Sequence, residues 1–221
     1  MIGPQIRVMV VDDHAVVREG YRRLLERQPD IEVVAEAHDG TSAYLRYRAV
    51  GPDVVIMDIS MPGRGGIDAI RQIKQTDPHA RILVFSVHAA ASYAVQAIRA
   101  GARGYITKSS ASNVLVESVR NVYDNKLTLC PEISHALAAS HLDDGQPVIE
   151  QLSPREFEIL RMIIDAKTND EIAETFCLTR KTVGNYHYSI KAKLGVKSDI
   201  DLIYHCMRHG LVEPMTDHDR V

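Results

Sequence analysis

Cysteine is scarce in this chain. Its three residues, Cys130, Cys177 and Cys206, are odd in number, far apart and form no C-x-x-C pair. That pattern excludes a zinc site of paired thiolates and a disulfide framework, so all three read as packing residues and the compartment as reducing, hence cytoplasmic. Long apolar runs are missing as well. No stretch approaches a membrane span, and the segment from Met1 to Arg7 has no apolar signal core. The net charge is only −3 over 221 residues, so any basic surface for nucleic acid must be local. Internal repeats and low-complexity tracts are absent. What is present, 45% hydrophobic and 25% charged residues, is ordinary for soluble globular protein of one or two domains, either able to bury a sizeable core.

Between 6 and 125, short apolar runs alternate with longer helical stretches. This predicts strands near 6–11, 31–36, 53–57, 81–86 and 103–107, with helices near 14–27, 40–50, 66–76, 90–100 and 111–124. Gly101 stands where a helix needs a left-handed stop, and Pro52 and Pro78 mark helix-to-strand turns. Five strands and five helices in alternation predict a doubly wound, five-stranded parallel sheet of flavodoxin-like order. The residues closing those strands carry chemistry: Asp12 and Asp13, Asp58, Ser86, and Lys108 after the last. In an open parallel sheet the carboxyl ends of separate strands meet in one crevice. Converging carboxylates repel one another unless a cation neutralises them, and a hard divalent ion such as Mg²⁺ suits oxygen ligands and phosphate alike. Such a site places phosphate on a carboxylate. Taken singly, an Asp pair is an ordinary helix cap, and Ser86 and Lys108 are ordinary surface residues; their common register carries the reading.

This ladder resembles the receiver domain of two-component response regulators. The matching residues are Asp12-Asp13, Asp58 within Met57-Asp58-Ile59-Ser60-Met61-Pro62-Gly63, Ser86, and Tyr105-Ile106-Thr107-Lys108. The resemblance implies that Asp58 is the phosphoacceptor and that Asp13, Asp58 and the Ser60 carbonyl hold Mg²⁺, with Asp12 assisting. It further implies that Ser86 and Lys108 engage the phosphoryl group and that Tyr105 is the aromatic switch, rotating inward as Ser86 moves. His14 follows the acidic pair and is given no special role.

Residues 126–150 lose the alternation and read as a linker with a possible short helix over 133–141. After 151 the strand signal ends, and four capped helix starts follow: Ser153-Pro154-Arg155-Glu156, Thr168-Asn169-Asp170-Glu171, Thr179, and Ser198-Asp199-Ile200-Asp201. Short helices joined by tight turns predict an all-α, four-helix helix-turn-helix domain over 151–214, with a tail at 215–221. Positions 178–198 hold Arg180, Lys181, Lys191, Lys193 and Lys197 and no Asp or Glu, a local footprint for phosphates. At about 100° per residue, Val183, His187, Ile190 and Leu194 share the packed face, with Lys181, Asn185, Tyr188 and Ala192 opposite. Asn185 and Tyr188 are placed to reach base edges, and Lys181 and Thr182 to hold phosphates. Gly184 gives the DNA room to approach. With Arg180 and Lys191 these form the expected DNA-binding set.

This half resembles the NarL/FixJ (LuxR-type) helix-turn-helix through Leu152-Ser153-Pro154-Arg155-Glu156, Asn169-Asp170-Glu171-Ile172-Ala173, Lys181-Thr182-Val183, Lys193-Leu194-Gly195-Val196 and His209-Gly210-Leu211-Val212. Gly184, Tyr186 and Asp199 depart from the broad family, and Ala166-Lys167 lacks the usual glycine. Lys181-Thr182-Val183-Gly184-Asn185-Tyr186-His187-Tyr188 is similar to the GacA/UvrY branch. The resemblance implies phosphorylation by a sensor histidine kinase of hybrid type, and release of the DNA-binding helices from a covering receiver. It also implies homodimerisation through Ile200, Ile203, Tyr204 and Met207 and binding to palindromic promoter DNA, with no membrane partner. Two other readings stand beside it. One is a DNA-binding regulator with a vestigial receiver. The other is an aspartyl-phosphate phosphohydrolase of the haloacid dehalogenase kind, which would need an acid where Ser60 stands and a cap insertion the chain lacks.

Overall fold

The computed structural model describes residues 5–61, 63, 65–142 and 148–212. The chain divides into two compact units, Met1–Ala138 and Ala139–Val221. In the first unit, strands and helices alternate as β1 (Ile6–Val11), α1 (Ala15–Glu26), β2 (Ile31–Ala37), α2 (Gly40–Val50), β3 (Val54–Met57) and α3 (Gly66–Thr76). They continue as β4 (Ile82–Ser86), α4 (Ala91–Ala100), β5 (Gly104–Thr107), α5 (Ser112–Tyr123), β6 (Thr128–Leu129) and α6 (Pro131–Leu142), the last running across the boundary. All strand pairs are parallel, in the order β2-β1-β3-β4-β5-β6. Both faces of the sheet are covered, which is why β3, β4 and β5 are buried along their whole length. Helices α2, α3 and α4 pack in sequence, while α1 and α5 flank a common groove.

One expectation is corrected: the sheet has a sixth strand beyond the five expected, while the short helix expected over 133–141 forms as α6. β6 pairs Thr128 with Gly104 and Leu129 with Tyr105, and a two-residue strand is too short to show any alternation. Helix α6 then buries Ile133 completely, worth about 2 kcal/mol for a side chain of that size. The proposed linker at 143–147 and tail at 215–221 lie outside the described residues.

In the second unit a 3₁₀ turn at Val148–Gln151 precedes α7 (Pro154–Ile164), α8 (Asn169–Phe176), α9 (Arg180–Lys193) and α10 (Asp199–Arg208). The predicted caps form: Ser153, Thr168, Thr179 and Ser198 each accept a backbone N–H three residues on. Where glycine is missing, Ala166 itself takes the left-handed conformation at φ 56°. Its N–H bonds the Ile163 carbonyl and that of Lys167 bonds Met162, closing a Schellman turn after α7. Helix α9 packs against both α7 and α8. Among the described residues no helix is long and apolar enough to cross a membrane.

Candidate functional site: an acidic crevice and a helix-turn-helix face

The register of the sheet builds the first site. Val11 pairs with Met57, Met57 with Val84, and Ser86 with Thr107, so the strands end level with one another. Asp12, Asp58, Ser86 and Lys108 therefore converge beside β1, where the strand order reverses. Asp12 and Asp58 are both buried. Lys108 Nζ bridges them, donating to Asp12 Oδ2 at 2.6 Å and to Asp58 Oδ2 at 2.7 Å. Burial works to push the lysine's pKa down, but the bonds from the two carboxylates outweigh it and hold it above the ordinary value. The other Asp58 oxygen accepts the Ser60 N–H at 2.9 Å.

Ser86 is fully buried, its hydroxyl 3.4 Å from that of Ser60. It accepts the His88 N–H at 3.2 Å, while Tyr105 donates its hydroxyl to the His88 carbonyl at 2.8 Å. The His88 ring stacks on Tyr93 of α4 with centroids 4.0 Å apart. His88 thus joins Ser86, Tyr105 and α4. Burial raises the Tyr105 pKa, against a lowering by Ser86, so the phenol stays a neutral donor. Tyr105 is fully buried in this conformation, in the inward position of the expected rotation.

Sequence reasoning missed His88 and Gly66. A Cβ at Gly66 would lie 2.1 Å from the Asp58 carbonyl oxygen, so only glycine lets α3 start against this backbone. The approach spans a loop, and nothing local in the sequence signals it.

A divalent cation fits the donor set. Asp13 Oδ1 is buried and lacks a well-directed hydrogen bond, although His14 Nδ1 lies 2.8 Å away. Among the described residues the group with ligand atoms close enough for one ion is Asp12, Asp13 and His14; Asp58 stands outside it. Oxygen donors at Asp12 and Asp13 beside Asp58 suit a hard ion such as Mg²⁺.

The second site is the outer face of α9. Val183, Ile190 and Leu194 are buried, and His187 is partly so, 3.0 Å from the Asp199 carboxylate. Lys181, Asn185 and Tyr188 are exposed, and Thr182 and Gly184 half-buried. Thr182 shares a 2.8 Å hydroxyl contact with the cap Thr179. The stretch itself is free of acids, but carboxylates outside it neutralise part of its charge. Arg180 pairs with Asp170 at 2.9 Å, Lys191 with Asp199 at 2.9 Å, and Lys193 with Glu156 at 2.6 Å. Lys193 ties α9 to Glu156 of α7, and Lys181 is an exposed cation of the face. On α10, Ile200, Ile203, Tyr204 and Met207 are 67%, 41%, 60% and 38% exposed, an apolar stripe at helical spacing. Cys130 and Cys206 are buried as expected, but Cys177 is exposed, in left-handed conformation at the end of α8.

Residues 8–120 match the response regulator receiver domain, and 150–206 match the bacterial regulatory proteins of the luxR family. The response regulator UvrY of Escherichia coli O6:H1 is 37% identical over 213 residues, 96% of this chain and 98% of the relative. The response regulator GacA of Pseudomonas protegens is 35% identical over 209 residues, covering 94% and 98%. RcsB of Salmonella enterica serovar Typhimurium, in a structure bound to promoter rprA with the phosphomimetic BeF3-, superimposes with a TM-score of 0.73 at 27% identity, over 91% of this chain and 98% of that one. With sheet, crevice and capped helices in the matching places, the chain belongs to the two-component transcriptional response regulators that couple a receiver domain to a luxR-type helix-turn-helix.

Proposed function

We propose that Asp58 accepts a phosphoryl group from a sensor histidine kinase, of hybrid type as in the GacA/UvrY branch, and that this controls dimerisation and sequence-specific DNA binding. The observation carrying it is the Lys108 bridge between Asp12 and Asp58 at a level row of strand ends. An Asp58 carboxylate oxygen attacks phosphorus, the bond from phosphorus to the donor's imidazole nitrogen breaks, and the imidazole leaves with a proton. Asp12, Asp13, Asp58 and the Ser60 carbonyl would hold Mg²⁺, which supplies charge neutralisation for the phosphoryl oxygens. Lys108 then exchanges carboxylate for phosphoryl oxygen, and the Ser86 hydroxyl donates to another. Because Ser86 and Tyr105 both bond the main chain of His88, a shift of Ser86 moves the start of α4. The receiver's own chemistry is limited to gaining and losing this phosphoryl group.

In the second domain Lys181 and Thr182 grip phosphates, Asn185 and Tyr188 reach base edges, and Gly184 admits the DNA backbone. Arg180 and Lys191 join by exchanging Asp170 and Asp199 for phosphates. The α10 stripe of Ile200, Ile203, Tyr204 and Met207 pairs two copies on a palindrome. The receiver runs past 125 to include β6, the DNA-binding domain spans 151–214, and the compartment is cytoplasmic. RcsB, bound to promoter DNA in the presence of a phosphomimetic, supports phosphorylation-linked DNA binding here.

The test is incubation with a small-molecule phosphodonor and Mg²⁺, followed by selection from a genomic fragment library. Wild-type protein should take up phosphate and enrich a palindrome mainly with donor, and Asp58→Ala should do neither. Uptake by the variant at the same stoichiometry would remove Asp58 as acceptor. Equal enrichment without donor would favour a vestigial receiver.

A further inference from the structure

At the edge of the sheet opposite Asp58, the residues leading into β4 and β5 surround a cavity of about 200 Å³. Its wall carries Lys74 from the end of α3, His79 and Arg81 before β4, and Arg103 before β5, with Asn125 after α5; none of its lining residues is acidic. The neighbouring carbonyls are already engaged: Lys74 Nζ donates to the Pro78 and Ala80 carbonyls, and Arg103 Nε to that of Asn125 at 2.9 Å. Arg81 lies over the Tyr123 ring at 5.1 Å, and neither arginine has a carboxylate within ion-pair reach among the described residues. Asp77, near Lys74, accepts from the Tyr47 hydroxyl and the His79 N–H, and Asp124, next to Asn125, pairs with Lys126 at 3.0 Å. Gly101 at φ 112° lets the chain turn tightly beneath the Lys74 stem, where a Cβ would meet Lys74 Cγ at 2.6 Å.

Three cations line one concavity whose wall holds no carboxylate, so even with Asp77 close to Lys74 they leave an excess of positive charge there. Two arginine forks keep free N–H groups suited to paired phosphate oxygens. We propose that this pocket is a second anion site, which takes a diphosphate-bearing small molecule at the pole of the receiver away from the phosphoacceptor. Lys74 fits that reading. Burial depresses its pKa, Asp77 pulls it back up and Arg103 adds a smaller depression, and a bound diphosphate offsets the repulsion from Arg103.

The experiment is equilibrium dialysis of the full-length protein at low salt in EDTA, which removes divalent ions from the acidic crevice, with labelled inorganic pyrophosphate as probe. Wild-type protein should bind one equivalent saturably. Arg103→Gln should weaken binding at least about tenfold, the worth of one charge-assisted pair. His79→Glu, on an exposed side chain that cannot unfold the sheet, should abolish it. Arg46→Gln, an exposed arginine on α2 away from the pocket, is the charge-matched control and should bind as wild type. ADP in competition identifies the source: displacement of pyrophosphate assigns the pocket to a nucleotide, and no displacement assigns it to the inorganic ion. The proposal is overturned if pyrophosphate does not saturate, or if Arg103→Gln and His79→Glu bind within about twofold of the control.

Discussion

Asp58 and Glu156 are both buried carboxylates held by a lysine, at 2.7 Å and 2.6 Å, yet their surroundings give them different work. Asp58 shares its lysine with Asp12 at the mouth of a crevice, where a phosphoryl group can take its place. Glu156 is enclosed: it also accepts from Ser153 N–H and hydroxyl at 2.8 Å and from Ser189 at 3.0 Å. Burial raises its pKa, but Lys193, Ser153 and Ser189 overcome this and bring it from 4.5 to about 2. A carboxylate depressed on folding stabilises above its unfolded value, and that contribution is lost as pH falls from about 4.5 towards 2. With half-exposed Lys193 screened by water, the loss is about 2 kcal/mol. Thermal melts of Glu156→Gln should therefore be destabilised at neutral pH and lose less than wild type between pH 5 and 3. Parallel pH profiles would show that the carboxylate contributes nothing.

At the scale of the element, α9 is built for two surfaces at once. Its inner face is fixed by Val183, Ile190 and Leu194, and its start by the Thr179 cap. Gly184 contradicts its helical position, at a cost of about 1 kcal/mol relative to alanine. A Cβ there would meet nothing within 4 Å in the protein. Gly184→Ala should thus raise stability by about 1 kcal/mol in denaturant melts while weakening operator binding severalfold. Unchanged affinity would show that the DNA keeps its distance from this turn. The caps of α7, α8, α9 and α10 were legible because a cap is local, a hydroxyl and an N–H three residues apart. The partners of Arg180, Lys191 and Lys193 were not, because Asp170, Asp199 and Glu156 reach them through folding.

For the whole molecule, the exposed stripe on α10 predicts assembly. In the proposed dimer these four apolar side chains are buried against a second copy, which sets two recognition helices on half-sites about one helical turn apart. Tyr204 is 60% exposed, so Tyr204→Glu leaves the monomer folded. In sedimentation with phosphodonor it should stay monomeric where wild type dimerises, with operator affinity at least about tenfold lower. A dimer of normal stability in this variant would move the interface elsewhere.

The sequence by itself determined what depends on neighbours a few residues away. Short apolar runs and helical stretches placed the strands and helices to within about two residues. The cap residues named the helix starts, and the residues after each strand named Asp12, Asp58, Ser86 and Lys108 because a parallel sheet brings strand ends together. Tertiary structure decided what depends on distance through space. It set β6, two residues long and defined only by its pairing with β5. It put Gly66 against the Asp58 backbone, His88 between Ser86 and Tyr105, and carboxylates beside three of the cations on α9. Those contacts join residues from separate segments, and no periodicity along one segment records which other segment it will meet.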